Sequence, residues 1–122
     1  MSEPVIRVRR VYDPPEPGAD GDGVRVLVDR LWPRGLAKAE AAVDEWPKAV
    51  TPSAELRKWY HGGGGTEGEF RARYEAELAE PEAVAELERL RGLAAAGRVT
   101  LLTAVKDPEG SHAAVLAELL AR

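Results

Sequence analysis

The sequence contains no cysteine and only two histidines, His61 and His112. Without cysteine there is no disulfide, no thiolate nucleophile and no cysteine-bound zinc or iron–sulfur site. Two histidines also exclude a histidine-rich metal site, although carboxylates alone would still suit magnesium. We therefore predict no metal-binding residues, and no residue pattern identifies a cofactor.

Long apolar runs are also missing from the sequence. No stretch approaches the roughly 18 apolar residues that a membrane-spanning helix needs. The first residues, MSEPVIRVRRVYDPP, lack the apolar segment of a signal peptide. We therefore expect no membrane insertion and a cytoplasmic location.

The chain has no excess of basic residues, since its formal net charge is −4. Broad nucleic-acid binding needs a basic face and is not expected. The charges are nevertheless unevenly spread, because arginines are frequent up to Arg34 and acidic residues concentrate between Glu67 and Glu88. A local basic pocket for a small anionic ligand therefore remains open, and nothing in the sequence indicates an oligomeric state.

What the chain does have is the composition of a globular protein. Its 122 residues are 44% hydrophobic and 31% charged. A chain of this size buries enough surface for one core, and it is too apolar to be disordered. We therefore predict a single domain over residues 1–122.

Three segments have the residue pattern of β-strands. Val5 to Val11 alternates apolar and basic residues and predicts a half-exposed first strand. Val24 to Val28 is a β-branched run that predicts a second, central strand covered on both faces. Val99 to Val105 is nearly all apolar and predicts a third strand, also central.

Helical patterns lie between the second and third strands and again after the third. Phe70, Tyr74 and Leu78 recur at four-residue spacing, as on one face of a helix. Other helices are predicted from Leu36 to Val43, after the Thr51-Pro52-Ser53 cap, from Pro81 to Gly97 and over Ala113 to Leu120. A strand that follows a helical crossover pairs in parallel with an earlier strand. The sequence therefore predicts a three-layer α/β fold with a small, mostly parallel sheet flanked by helices.

Two segments rich in glycine are predicted as loops. Asp13 to Gly23 (DPPEPGADGDG) combines proline, glycine and acidic residues, which is typical of a solvated surface connector. Gly62 to Gly65 lacks the Gly-Lys-Ser/Thr ending of a phosphate-binding loop and does not follow a strand. We interpret this second segment as a flexible linker.

Polar residues follow the second and third strands where those strands end. Ligands of open α/β sheets bind outside the carboxyl ends of the strands, and parallel neighbours open at the same edge. We interpret Asp29 and His112 as candidate catalytic residues that act as acid or base. The residues predicted to bind the ligand are Arg30, Trp32, Arg34, Gly35, Lys106, Asp107 and Ser111.

Arg34 is the leading candidate for an anion contact in this set. A guanidinium binds phosphate or carboxylate through two hydrogen bonds, and the adjacent Gly35 lets the backbone approach a ligand. Each candidate also has a simpler structural interpretation. These are an ion pair of Asp29 with Arg30, a core role for Trp32, a solvated turn at Lys106-Asp107, a helix cap at Ser111 and a surface histidine at His112.

Six short strings carry a family resemblance. VYDPP, VLVDRLWPRG, DEW, LRKWY, FRARYEAEL and VTLLTAVKD occur in this order between Arg7 and Leu120, and together they resemble the YeaO-like family of bacterial proteins of unknown function. Longer relatives of that family end in a Lys-Asp-Pro-x-x-Cys-His pattern, which here runs from Lys106 to His112 with Ser111 in place of the cysteine. The resemblance implies a fold and a site, but no activity, and any role of a thiol in those relatives is absent here.

Three functions are consistent with these patterns. The first is an enzyme or binding protein for a small anionic or nucleotide-like ligand, with arginine and lysine side chains holding the anion. The alternative is a non-catalytic module that binds a partner protein or an RNA segment through Trp32, Trp46, Trp59 and neighbouring arginines. The third is a structural or dimer-forming domain, which would have no enclosed cleft over Asp29 and Lys106.

Overall fold

The computed structural model describes residues 6–16, 18 and 21–121. Three strands form one sheet: β1 (Ile6–Arg10), β2 (Val24–Leu27) and β3 (Val99–Thr103). The strand order is β1-β3-β2, and both pairings are parallel. The parallel sheet and the central position of β3 confirm the predicted α/β class. Val5, at the start of the predicted first strand, lies outside the described residues.

The predicted central position of the second strand is wrong, because β2 lies at an edge of the sheet. Its outer edge is covered by the segment at Asp44 and Glu45. The backbone N–H of Leu27 donates to the carbonyl of Glu45 at 2.9 Å, and the N–H of Asp44 donates to the carbonyl of Arg25 at 2.8 Å. A covered edge strand has hydrogen-bond partners for its backbone on both sides, as a central strand has. The apolar run of β2 therefore does not distinguish a covered edge strand from a central strand.

Five α-helices lie in the described part of the chain: α1 (Lys38–Ala41), α2 (Ala54–His61), α3 (Glu67–Glu77), α4 (Pro81–Ala96) and α5 (His112–Ala121). Local signals explain where three of them begin. The Ser53 side chain caps α2, Thr66 and Glu69 form a capping box at α3, and Pro81 is the first residue of α4. None of these helices is long and apolar enough to cross a membrane.

The two faces of the sheet carry two separate cores. Val26 and Leu101 point to the face that α2, α3, α4 and α5 cover, and they belong to the larger cluster. Leu27 and Leu102 point to the opposite face, where α1 and the partly buried Trp32 pack in the smaller cluster. Because side chains alternate along a strand, this arrangement gives helices, sheet and a thinner third layer.

The predicted solvated connector at 13–23 contains a buried carboxylate. The Asp22 side chain is only 1% exposed, and the guanidinium groups of Arg7, Arg9 and Arg25 form ion pairs with it. Pro17, Ala19 and Asp20 of this connector lie outside the described residues. The sequence interpretation therefore missed a structural role for the end of the connector, because its acidic composition is equally typical of a solvated loop.

The glycine segment is also more than a linker, because its backbone packs on the Trp59 indole. A Cβ atom added to Gly64 or Gly65 would lie 2.4 Å from atoms of that ring. Arg73 covers the same indole, with its guanidinium carbon 4.0 Å from the ring centroid. The glycines are needed here for close approach, which the predicted flexible linker does not describe.

Candidate functional site

The site begins with Asp29, two residues beyond the end of β2 and at the carboxyl edge of the sheet. Its carboxylate accepts hydrogen bonds from the Thr103 hydroxyl at 2.7 Å and from the Ala104 N–H at 2.8 Å. The Nε2 atom of His112, the first residue of α5, lies 2.9 Å from the same carboxylate. Asp29 therefore joins β2, β3 and α5 at one point, as the parallel strand order predicts.

The hydrogen bonds decide the charge of Asp29. Burial alone would raise the pKa of this carboxyl group. The hydrogen bond from His112, the Ala104 N–H, the charge of His112 and the Thr103 hydroxyl outweigh burial and lower the pKa below its usual value. Asp29 is therefore a carboxylate at neutral pH and acts as an acceptor.

The orientation of the His112 ring follows from its neighbours. Nε2 lies 2.9 Å from the Asp29 carboxylate and 3.1 Å from the Val28 carbonyl. Both groups are acceptors, so Nε2 carries a hydrogen and donates it. Within the described residues, Nδ1 has no hydrogen-bond partner. The Tyr74 ring meets the imidazole edge to face at 6.1 Å and helps to fix its plane.

A cavity of about 360 Å³ opens above this pair. The size falls within the range of small-molecule sites. Its walls come from the strand ends and from α2, α3 and α5. The cavity is lined by Asp29, Arg30, Pro52, Arg57, Tyr60, His61, Glu67, Phe70, Arg71, Val105, Glu109, Gly110, Ser111, His112, Ala114, Val115 and Glu118.

Three arginines line the cavity, and their guanidinium groups differ in how many partners they have. Arg71 is paired with Glu75 and Glu118, so its charge is already balanced. Arg30 uses Nε to donate to the Pro52 carbonyl at 3.0 Å, which leaves its two terminal nitrogens without a partner in the described chain. The Arg57 guanidinium contacts no acceptor among the described residues. Arg57 and Arg30 are therefore the groups with hydrogen-bond donors to spare.

Ser111 also lines the cavity, but its hydroxyl is occupied. It donates to the Pro108 carbonyl at 2.6 Å and accepts from the Ala113 N–H at 3.2 Å. The second contact is that of a helix N-cap. Asp29 holds His112 through Nε2, and the hydroxyl of Ser111 makes no hydrogen bond to the imidazole. The hydroxyl of Ser111 is therefore engaged with the backbone and not with His112.

The other predicted residues lie elsewhere. The Trp32 indole donates to the Leu36 carbonyl at 2.7 Å and packs edge to face on Trp46 in the smaller core. Arg34 is exposed, and its carbonyl accepts from the Tyr12 hydroxyl at 3.1 Å. Gly35 turns the loop with a φ of 72°. Lys106 and Asp107 are exposed. Of the nine predicted site residues, the cavity brings together Asp29, Arg30, Ser111 and His112.

The candidate binding residues predicted from the sequence did not include the cavity residues of α2 and α3, and Phe70 was placed only on one face of a predicted helix. A signal was present, because Arg57, Tyr60 and His61 follow the i, i+3, i+4 spacing of one helix face. A helix face that carries arginine and histidine beside an aromatic ring is a poor core face and a suitable cavity wall.

No metal centre accompanies the cavity in the part of the chain that the structure describes. Groups of three or more histidine, aspartate or glutamate side chains that could hold a metal ion are absent there. Asp29 and His112 give only two potential ligands, and each is already hydrogen bonded to the other.

Comparisons with known proteins show what the chain is similar to. A family model described as the inactive DUF488-N3 subclade matches residues 5–122. The chain is 49% identical over 115 residues to the uncharacterized protein YeaO of Escherichia coli strain K12, covering 94% of this chain and 96% of that protein. It is 48% identical over 120 residues to the uncharacterized protein Rv3073c of Mycobacterium tuberculosis, covering 98% and 97%. No solved structure matches the chain.

Proposed function

Because this chain belongs to the inactive DUF488-N3 subclade, we propose that it binds a small anionic or nucleotide-like ligand in the cavity and does not catalyse a reaction. The family membership also confirms the YeaO-like resemblance of the sequence. Asp29 and His112, the candidate acid and base, then have a different role. They form a fixed polar floor for the ligand.

The unpaired guanidinium of Arg57 is the observation that carries this proposal. A charged group on a cavity wall is normally balanced by a carboxylate, as Arg71 is by Glu118. Arg57 has no such partner among the described residues, and neither do the terminal nitrogens of Arg30. An anion between these two groups would supply the missing acceptors through charge-assisted hydrogen bonds.

The state of Ser111 supports binding over catalysis. Nucleophilic catalysis needs a hydroxyl or thiol within hydrogen-bond reach of a base. The Ser111 hydroxyl instead caps α5 and contacts the Pro108 carbonyl. The chain has no cysteine to take its place.

Calorimetric titration of the wild type and of Arg57→Ala tests the proposal. The ligands are inorganic phosphate, ribose 5-phosphate, an aromatic carboxylate and the nucleoside monophosphates. A charge-assisted hydrogen bond contributes about 1.5–3 kcal/mol, so Arg57→Ala should weaken the affinity of the best ligand by at least about tenfold. The matched control is Lys58→Ala, which removes an exposed cation from the same helix outside the cavity.

The results separate the proposal from its competitors. Equal weakening by Arg57→Ala and Lys58→Ala would indicate diffuse charge attraction and not a site. Binding that depends on Arg34 and not on Arg57 would move the anion contact to the exposed loop that the sequence favours. If none of these ligands bound at millimolar concentration, the cavity would have no anion-binding function.

The contacts of the three tryptophans with other described residues do not favour the alternative of a tryptophan-based docking surface. Trp46 donates to the Asp29 carbonyl at 2.7 Å, and the Lys48 ammonium lies 4.4 Å from its ring centroid. Trp32 packs against Trp46, and Trp59 is covered by Arg73 and the glycine segment. All three indoles are already engaged within the chain, whereas a hot spot for a partner needs an aromatic surface that is free to be covered.

A further inference from the structure

Four aromatic side chains form a continuous run along one side of the cavity. The Tyr60 and Phe70 ring centroids are 4.6 Å apart, Phe70 and Tyr74 are 6.0 Å apart, and Tyr74 and His112 are 6.1 Å apart. Tyr60, Phe70 and His112 line the cavity, while Tyr74 lies fully buried behind them. The run therefore crosses from α2 through α3 to α5 as one wall.

This wall is held in place by contacts outside the cavity. The Tyr74 hydroxyl donates to the Val50 carbonyl at 2.5 Å. Glu77 accepts from the Ser53 N–H at 2.9 Å and so ties α3 to the start of α2. Tyr60 and Phe70, which face each other from these two helices, are consequently supported from behind and do not need a ligand to hold them.

The cations reach the cavity from two elements of the fold. Arg30 follows β2, on the strand edge of the cavity, and Arg57 lies one turn before Tyr60 on α2. Arg71, on α3 beside Phe70, is neutralised by Glu75 and Glu118 and adds no free charge near the rings. The cavity is thus lined by both aromatic rings and cationic groups.

We propose that the ligand of this cavity is a phosphate monoester that carries a flat heteroaromatic ring, the class of the nucleoside monophosphates. The assignment rests on the proposed anion-binding function and narrows it. The ring lies against Tyr60 and Phe70, and the phosphate lies at Arg57 and Arg30. An inorganic anion or a sugar phosphate would leave the aromatic wall facing water.

Size and polarity agree with this class. A cavity of about 360 Å³ is at the lower end of small-molecule sites, which suits a mononucleotide better than a dinucleotide. Glu67 and Glu109 also line the cavity, and neither makes a hydrogen bond or ion pair through its carboxylate with the described residues. They can accept hydrogen bonds from ring amino groups or from sugar hydroxyls.

The test measures the affinity of a matched set of ligands for the wild type and for a matched set of variants by calorimetric titration. The ligands are the four ribonucleoside 5′-monophosphates, the corresponding nucleosides, ribose 5-phosphate and inorganic phosphate. Stacking on an aromatic side chain contributes about 1–3 kcal/mol per base. At least one monophosphate should therefore bind about tenfold or more tightly than ribose 5-phosphate.

The variants separate the ring contact from the phosphate contact. Phe70→Leu and Tyr60→Leu should remove most of the advantage of the nucleotide and change ribose 5-phosphate affinity by less than about twofold. Arg57→Ala should weaken both ligands. Tyr12→Leu is the control, because it removes an aromatic ring that is 40% exposed and outside the cavity. A cooperative thermal unfolding transition shows that a variant is folded. If Phe70→Leu does not fold, Tyr60→Leu tests the aromatic wall in its place.

The outcomes distinguish this ligand class from the broader function. If ribose 5-phosphate or inorganic phosphate binds as tightly as every nucleotide, the ring assignment is wrong while anion binding stands. If an aromatic carboxylate binds through Arg57 and no phosphate does, the phosphate assignment is wrong. If no anion binds, both proposals fail together.

Discussion

At the scale of single residues, Asp29 is the group on which the site depends. Its carboxylate has three donors, from Thr103, Ala104 and His112. Its own backbone carbonyl accepts from the Trp46 indole at 2.7 Å. One residue thereby fixes the imidazole of His112, the end of β3 and a tryptophan of the opposite core. Its side chain faces the cavity, yet its contacts are mostly structural.

Asp29→Asn should therefore destabilise the fold. An amide presents only one acceptor oxygen, and its NH₂ group would face a backbone or side-chain donor that then has no acceptor. Leaving buried donors unsatisfied costs about 1–3 kcal/mol, and more for charged groups. We expect the free energy of unfolding in urea to fall by about 2–3 kcal/mol. Asp107→Asn, at an exposed carboxylate, should change it by less than about 0.5 kcal/mol.

The difference in the free energy of unfolding between wild type and Asp29→Asn should depend on pH, and the pKa of Asp29 gives the direction. Because the pKa of Asp29 is lower in the folded state, its carboxylate stabilises the protein above the pKa of the unfolded chain. That stabilisation is lost as the pH falls through the lower folded value. The difference in the free energy of unfolding between wild type and Asp29→Asn should therefore be largest at pH 6 and become smaller in acid. A gap that is constant down to pH 2 would contradict the hydrogen-bonded carboxylate.

At the scale of elements, what could be predicted depended on how local the cause was. The caps at Ser53 and Thr66 are side-chain contacts to backbone groups three residues away, and the sequence identifies the helices that they begin. The edge position of β2 depends on the backbone at Glu45, whose place is set by the whole fold. No pattern within Val24 to Val28 contains that information.

The site residues also differ in whether the sequence could predict their positions. The strand ends of a parallel sheet must meet at one edge, so the proximity of Asp29 and His112 follows from the predicted topology. Arg34 was predicted beside them because the loop follows β2, but the core packing of Trp32 turns that loop away from the cavity. The spacing of Arg57, Tyr60 and His61 indicates one face of α2, but the contact of that face with Phe70 could not be derived, because it depends on how α2 and α3 pack.

The glycine segment offers a test at the same scale. Gly65→Ala would place a Cβ 2.4 Å from the Trp59 ring, so the loop or the indole must shift. We expect a loss of about 1–3 kcal/mol in the free energy of unfolding, as for overpacking. Trp59 fluorescence should change as well. If Gly65→Ala were neutral, the close packing on Trp59 would be wrong.

Gly68→Ala is the matched control for that substitution. Gly68 lies in the first turn of α3, and the nearest atom to an added Cβ is 3.8 Å away. Alanine there reduces the freedom of the unfolded chain and meets no obstacle. It should stabilise the protein by about 0.5–1 kcal/mol. The two substitutions add the same atom three residues apart and should have opposite signs.

At the scale of the whole molecule, the two edges of the sheet have different roles. The cavity lies at the carboxyl edge. Toward the amino edge, Asp22 precedes β2 and pairs with arginines from β1 and β2, and its carbonyl accepts from the Thr100 hydroxyl of β3 at 2.7 Å. Asp22 thus contacts all three strands, β1 and β2 through its carboxylate and β3 through its backbone carbonyl. Stability and ligand binding should therefore be separable by mutation.

Asp22→Asn tests that separation. Removing one partner of a buried ion pair costs about 3–5 kcal/mol, because the remaining charges are left uncompensated. We expect a loss of that order in urea unfolding, while calorimetry on the folded fraction at low temperature gives ligand affinity within about twofold of wild type. Asp13→Asn is the control, since Asp13 is more exposed and lies 4.0 Å from Arg9. It should cost less than about 1 kcal/mol.

Asp22 and Asp29 together should then determine how the free energy of unfolding decreases at low pH. Burial would raise the pKa of Asp22, but hydrogen bonds from the Glu16 N–H, Arg9 and Arg25 outweigh it, and the pKa lies below its ordinary 3.8. Its contribution is thus complete above that value and disappears as the pH falls through the lower folded pKa. Wild type should lose stability steeply below pH 4, and Asp22→Asn should show a shallower decline. Parallel curves for the two proteins would mean that the arginine cluster does not depend on the charge of Asp22.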